Sequence, residues 1–437
     1  MLLEFKASNY KSFKDEFTLS LVPAPKQKDL DYSVMKTGNG KNQYKALCSA
    51  VIYGPNASGK TNVIGAIDTF KQIVLRGNIR NDETGNNPNK AAGMLELIPN
   101  NTLSLPAPVE FSATFIEDGY RIKYAFSADF GKFLSSGHKR KIISEKLFIN
   151  ETLIFQRYEE LVIGAVFKFH NLLVNAYEQN ADSAAELAKS SLNDEELFLM
   201  NGFKTMFSSE IVALITNWLD TKLTVIYSSN TVHLSPTFSG MKEKSVIMPE
   251  AYAAALKCFG VNSSSLYYVK ERENEEAKLY SIFHNNDKAI PAETFESYGT
   301  IRFINLFPLI INAMIDGGTL IVDEFDASIH PMALMSIVNS FHNDDINVNH
   351  AQLIFNTHNP IFLNANLFRR DEVKFVERDE ESHGSTLYSL ADFGTAGKKG
   401  VRKNEDYMKN YFIDRYGAIK DVDFSHVFET LTQESGV

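Results

Sequence analysis

The stretch Gly54-Pro55-Asn56-Ala57-Ser58-Gly59-Lys60-Thr61 fits the pattern G-x-x-x-x-G-K-[ST], and it constrains the fold of this chain more than any other. Before it, Ala46 to Tyr53 is a mostly apolar run of strand length. After it, Val63, Ile67, Phe70 and Val74 recur at the spacing of one helix face. Strand, glycine-rich turn and helix in that order aim successive backbone N–H groups and a helix N-terminus at one anion, with an ammonium beside it. The bland reading, a glycine-rich surface turn with an incidental lysine, leaves both flanks unexplained. Residues Gly54 to Asn62 are therefore expected to hold the phosphates of a nucleotide.

Such a loop needs a partner for its metal, and Thr319-Leu320-Ile321-Val322-Asp323-Glu324 offers one as a short buried strand ending in two carboxylates. Phosphate-loop ATPases hold Mg²⁺ through the loop Ser/Thr and an acid at the end of an apolar strand, which assigns Thr61 and Asp323 to the metal. Glu324, one residue on, can take the proton of the water that attacks the γ-phosphate. Gln352 to His358 reads as another buried strand with a polar end. His358 can meet the γ-phosphate or its attacking water, or it can cap the strand; the residues alone leave both open.

With 44% hydrophobic residues and 32 Phe, the 437-residue chain has apolar material for a large core or several lobes. Its net charge of −10 argues against nucleic-acid binding by bulk electrostatics. Local clusters, His138 to Lys141, Arg369-Arg370, Lys398-Lys399 and Arg402-Lys403, read as solvated loops. Two cysteines, Cys48 and Cys258, are too few for a disulfide framework or a zinc cluster, so a reducing, cytoplasmic setting is expected. The start shows no export signal, and the most apolar window, Ile304 to Ile315, is interrupted by Asn305, Pro308 and Asn312; no membrane span is expected.

Leu3, Phe5 and Ala7, then Phe17, Leu19 and Leu21, alternate as a hairpin of two half-buried strands. Two further period-two runs, Val109 to Phe115 and Tyr120 to Phe126, flank Asp118-Gly119, a strong hairpin signal. Ile142 to Asn150 and Leu153 to Tyr158 extend that antiparallel sheet. From about residue 165 the pattern turns helical, with Phe203, Phe207, Ile211, Leu214, Ile215 and Trp218 as a core stripe. The expected organisation is an N-terminal lobe over 1–160 with the phosphate loop and an antiparallel β-subdomain, a mainly helical insertion over 161–290, and a C-terminal lobe over 291–437. Pro23 to Asn42, Ile79 to Pro108 and Glu271 to Glu276 read as irregular or solvated connections.

Taken together, the phosphate loop, the distant Asp323-Glu324 strand and strand-terminal His358 resemble the ABC-type ATPase heads of the SMC, RecF and OLD (overcoming lysogenization defect) proteins. Asn9-Tyr10-Lys11-Ser12-Phe13-Lys14 is similar to the opening of those heads, and Asp323 to Pro331 is similar to the D-E-x-D-x-S-L-H-P of stand-alone OLD-like ATPases. Glu296-Ser297-Tyr298-Gly299-Thr300 occupies the place of the ABC signature, though without its second glycine and glutamine. The resemblance implies an α/β P-loop NTPase fold of ABC head type and an ATPase that uses ATP and Mg²⁺ as a homodimer or higher homo-oligomer. In that assembly Ser297 and Gly299 would touch ATP held by the other subunit, and Glu324 and His358 would be catalytic. Glu110 lies near the place of a glutamine loop. Too few residues follow His358 for a TOPRIM nuclease, so nuclease activity within this chain is not expected. Stand-alone relatives in the PARIS, Septu and AbiL-like phage-defence systems imply a separately encoded effector or nuclease, with a phage protein as trigger. A RecF-like DNA-binding repair ATPase, with nucleic acid as partner, and an ATP-binding scaffold with negligible turnover are the competing readings.

Overall fold

The computed structural model describes residues 1–25, 27, 30–38, 43–80, 95–103, 105–133, 138–173, 181–190, 192–227, 245–247, 255, 257–258, 265–269, 278–283, 288–395, 400–402, 405–420 and 422–434. The chain opens with β1 (Leu2–Ser8), β2 (Phe17–Ser20), β3 (Val34–Thr37), β4 (Tyr44–Leu47) and β5 (Ser49–Tyr53), which runs through the phosphate loop into α1 (Lys60–Arg76). Then come β6 (Val109–Glu117), β7 (Tyr120–Asp129), β8 (Lys141–Ile149), β9 (Thr152–Arg157) and β10 (Leu161–Ile163). The middle of the chain supplies α2 (Ala181–Ser190), α3 (Ser209–Asn217), β11 (Leu223–Ile226), β12 (Ser245–Ile247), β13 (Ser265–Val269), β14 (Lys278–Phe283) and β15 (Lys288–Pro291). Last are α4 (Tyr298–Asp316), β16 (Thr319–Val322), α5 (Pro331–Phe341), β17 (Gln352–Asn356), β18 (Val373–Arg378), β19 (Ser385–Ser389), α6 (Tyr407–Phe412) and α7 (Ser425–Glu434).

Two large sheets carry the molecule. One is antiparallel in the order β10-β9-β8-β7-β6-β1-β2, and both expected hairpins lie in it. Asp118 and Gly119 join β6 to β7 with φ of 47° and 79°; two left-handed residues in succession match the twist of the strands they connect. The other sheet runs β11-β16-β17-β5-β18-β19 and is parallel except for β19. Its central strands β5, β16 and β17 are buried along their whole length because both faces are covered. In β5, Ala50 and Ile52 enter the cluster that holds α1 and the antiparallel sheet, whereas Val51 and Tyr53 enter the cluster with α4 and α5. Phe70 of α1 meets Phe5 edge-on and stacks on Phe126, and Trp218 stacks on Phe115 at 4.0 Å.

Register then decides where chemistry can sit. Val322 of β16 pairs with Phe355 of β17, and Asn356 pairs with Ile52 of β5, all in parallel. The residues after these strands therefore leave from one edge of the sheet, where α/β folds bind their ligands.

The structure corrects several sequence expectations. Among the described residues the segment 161–290 mixes helix with strand: it opens with β10, adds β11 to the parallel sheet after Lys222 and contributes to a separate antiparallel sheet, β12-β13-β14-β15, in which Tyr267, Tyr268 and Val269 of β13 are residue types that suit strands. Arg369 is buried, not solvated, because Asp371 accepts from its Nε and Nη2, each at 2.9 Å. The helix Tyr298–Asp316 is long and apolar enough to cross a membrane, but Phe303, Ile304, Leu306 and Ile310 pack into the core beside the parallel sheet. Glu271 to Glu276, Lys398, Lys399, Lys403, and parts of the connections at 23–42 and 79–108 lie outside the described residues.

Candidate active site

The phosphate loop is shaped by glycines that admit no side chain. A Cβ on Gly54 would stand 2.2 Å from the Val376 carbonyl oxygen, and one on Gly59, at φ 110°, would stand 2.6 Å from Ser12 Oγ and 2.7 Å from Ser385 Oγ. Those two serines pin the loop. Ser385 Oγ donates to the Ser58 carbonyl at 2.6 Å, Asn62 Nδ2 donates to Ser12 Oγ at 2.8 Å, and Ser385 N donates to the Ser12 carbonyl at 2.8 Å. Pro55, Asn56 and Ala57 form the outer tip, while Ser58 Oγ is buried with no hydrogen-bond partner. Lys60 Nζ donates to the carbonyls of Gly54 and Pro55 at 2.8 and 2.9 Å. Burial pushes its amine down to about 8, against the pull of Asp323, Glu324 and Asp326.

Opposite the loop, β16 ends and the chain turns. Asp323 is buried, and Thr61 Oγ1 donates to its Oδ1 at 3.1 Å. Asn356, the last residue of β17, holds this turn from both sides: its Nδ2 donates to Asp323 Oδ1 and its Oδ1 accepts from Glu324 N. Glu324 has a left-handed φ of 50°, and its carbonyl accepts from Arg302 Nη2 at 2.6 Å. His358 follows β17. Partial burial lowers its basicity first, then the Lys60 charge, against Asp326, Glu324 and Asp323. His358 stands two residues beyond Asn356, which is bonded to the carboxylate turn, so the imidazole leaves the sheet at the edge that carries the loop and the turn.

These residues fit a magnesium nucleotide. Gly54 and Gly59 let the loop pack closer to Val376, Ser12 and Ser385 than any side chain would allow, the buried Ser58 hydroxyl in that loop is an orphan, and Thr61 with Asp323 is the hydroxyl and carboxylate pair that would hold Mg²⁺. The structure thus brings Lys60, Thr61, Asp323, Glu324 and His358 together. Ser297 and Gly299 lie elsewhere on the chain: Ser297 caps α4, accepting from Thr300 N at 3.1 Å, and a Cβ on Gly299 would meet the Ser328 carbonyl oxygen at 2.0 Å. The start of α4 is thereby packed on the turn that carries Glu324. Glu110 is not at the site; it is an exposed residue of β6 in a cleft with Lys6, Glu16, Ser127 and Lys146. Asn356, Arg302, Ser12 and Ser385 were missed from sequence. Asn356, a polar residue closing an apolar strand, carried a local signal, and Ser12 lay within the Asn9 to Lys14 motif quoted above without being given a role.

A family model described as "AAA domain, putative AbiEii toxin, Type IV TA system" matches residues 49–364, a span that takes in the loop, the carboxylate turn and His358. Among solved structures, the SMC head domain from Thermotoga maritima is similar at 12% identity and a TM-score of 0.36, covering 89% of this chain and 98% of that one. No curated protein matches the chain. The fold is the α/β phosphate-loop NTPase fold with an added antiparallel sheet.

Proposed function

The chain belongs to this family of AAA domains, and from that premise we propose that it hydrolyses ATP at an interface between two copies of itself. One observation carries the reading: Thr61 Oγ1 lies 3.1 Å from Asp323 Oδ1, although the two residues come from separate thirds of the chain. In the proposed mechanism the loop amides and Lys60 bind the β- and γ-phosphates of the substrate. Thr61 and Asp323 would hold Mg²⁺, which would supply charge neutralisation for the phosphates. Glu324 takes the proton of the attacking water, and neutral His358 donates a hydrogen bond to the γ-phosphate. Asn356 ties the Asp323 carboxylate to the backbone of Glu324. Ser297 and Gly299 of the second copy close over the nucleotide, so turnover depends on assembly.

We propose further that nucleotide-driven closure controls a separately encoded effector or nuclease in prokaryotic anti-phage defence. The family description names a toxin within a toxin–antitoxin system, a two-component setting that agrees with a partner encoded apart. The deciding experiment compares ATP turnover by the wild type, Lys60→Ala and Glu324→Gln. Loss of ATP binding in the first variant and retained binding with at least hundredfold slower turnover in the second supports the reading; turnover by Glu324→Gln equal to wild type refutes it. Steeply salt-dependent affinity for duplex DNA would favour the repair ATPase instead.

A further inference from the structure

At the other end of β5 from the phosphate loop, Cys48, His342 and Glu372 are buried, with exposures of 0%, 4% and 0%. One donor atom from each lies within 4.8 Å of the others. Cys48 precedes β5, His342 follows α5 and Glu372 stands just before β18, so three segments distant in sequence meet at this point. The Ser49 hydroxyl is among them: its Oγ is 2.9 Å from His342 Nε2 and 2.7 Å from Glu372 Oε1, and Nε2 is 3.1 Å from that same oxygen.

A serine, a histidine and an acid invite comparison with a nucleophilic relay, but here the hydroxyl and the carboxylate address the same imidazole nitrogen. The group is also sealed from any substrate, so that role is excluded. Nε2 and the hydroxyl bring at most one proton each, enough for two of the triangle's three edges, and the other Glu372 oxygen accepts from Arg369 N at 2.8 Å. His342 Nδ1 is buried with no partner, an imidazole atom left with nothing to bind. Thiolate, imidazole and carboxylate are the donor types that hold zinc, and the two negative donors would cancel a divalent charge in this apolar setting.

We propose that Cys48, His342 and Glu372, with Ser49 beside them, form a structural site for a zinc-class divalent ion. Donors of a tetrahedral zinc at bonds of about 2.0–2.3 Å stand roughly 3.3–3.7 Å apart, so the 3.1 Å edge between His342 Nε2 and Glu372 Oε1 opens by a few tenths of an ångström on loading. The ion ties the start of β5 to the end of α5 and to the approach of β18, fixing the sheet at the edge away from the nucleotide.

The test uses the full chain, produced or refolded with Co²⁺ as probe and with Zn²⁺ in parallel. Expected are about one ion per chain and a thiolate-to-cobalt charge-transfer band that disappears in Cys48→Ser and persists in Cys258→Ser. Chelation should lower the wild-type Tm to that of Cys48→Ser. Absence of metal from the wild type, or a band that survives Cys48→Ser, overturns the proposal and leaves a hydrogen-bonded cluster only. Should Cys48→Ser not fold, His342→Gln and the wild-type Tm with and without chelator decide in the same way.

Discussion

Lys60 donates to two carbonyls of its own loop, and its amine is pushed down to about 8, while an incoming triphosphate would raise it again. Below pH 8 the ammonium is already formed and nucleotide affinity should be flat. Above pH 8 binding must take up a proton, so affinity should fall as pH rises, by up to about tenfold per unit until Lys60 is neutral in the complex as well. Titration calorimetry in buffers of different ionisation enthalpy would show that uptake; none above pH 8 would contradict the placement of Lys60. Folding stability has the opposite trend. The unfolded lysine binds more protons between about 8 and its ordinary 10.5, so this residue's penalty on the fold is relieved as pH climbs through that window. Asn356 invites a second measurement. Because it orients both Asp323 and Glu324, Asn356→Ala should slow turnover by about 10–100-fold and weaken Mg²⁺ dependence, with metal-free nucleotide binding kept.

The start of α4 joins two duties, capping by Ser297 and close backbone approach at Gly299. Ser297→Ala should cost about 1 kcal/mol through the lost cap. Gly299→Ala, whose new Cβ would meet a carbonyl of the turn after Glu324, should cost roughly 1–3 kcal/mol, since backbone on one side or the other must move. Denaturant melts of both variants would check the order. At this scale the sequence was legible wherever a periodic pattern met turn chemistry. Asp118-Gly119, β5 with its glycine loop, and the apolar β16 and β17 could all be read from local residues. What was not legible depends on which strands become neighbours. Ser12 and Ser385 matter because they meet over Gly59, and Asn356 matters because parallel register sets it beside Asp323. Glu110, near the expected place of a glutamine loop, lies in a different cleft, because distance along the chain does not say which face of β6 a residue takes. The helical expectation for 161–290 overlooked β10 at its start and β11, β13 and β14 among the described residues after Lys222.

For the whole molecule, the proposed interface makes assembly the readout of nucleotide state. Glu324→Gln with ATP should sediment as a dimer, while Lys60→Ala should show no nucleotide-dependent change in mass; identical behaviour of the two would count against closure over ATP. The cradle itself has a further property. It is clamped by Ser12 from the beginning of the chain and by Ser385 from near its end, each touching the other through the backbone. A chain emerging from the ribosome has made the glycine loop long before it has made the serine that closes it. Nucleotide thus cannot template the early stages of synthesis, and a truncated product lacks the latch. Competence for nucleotide would thus wait until the segment carrying Ser385 has been made and folded against the loop.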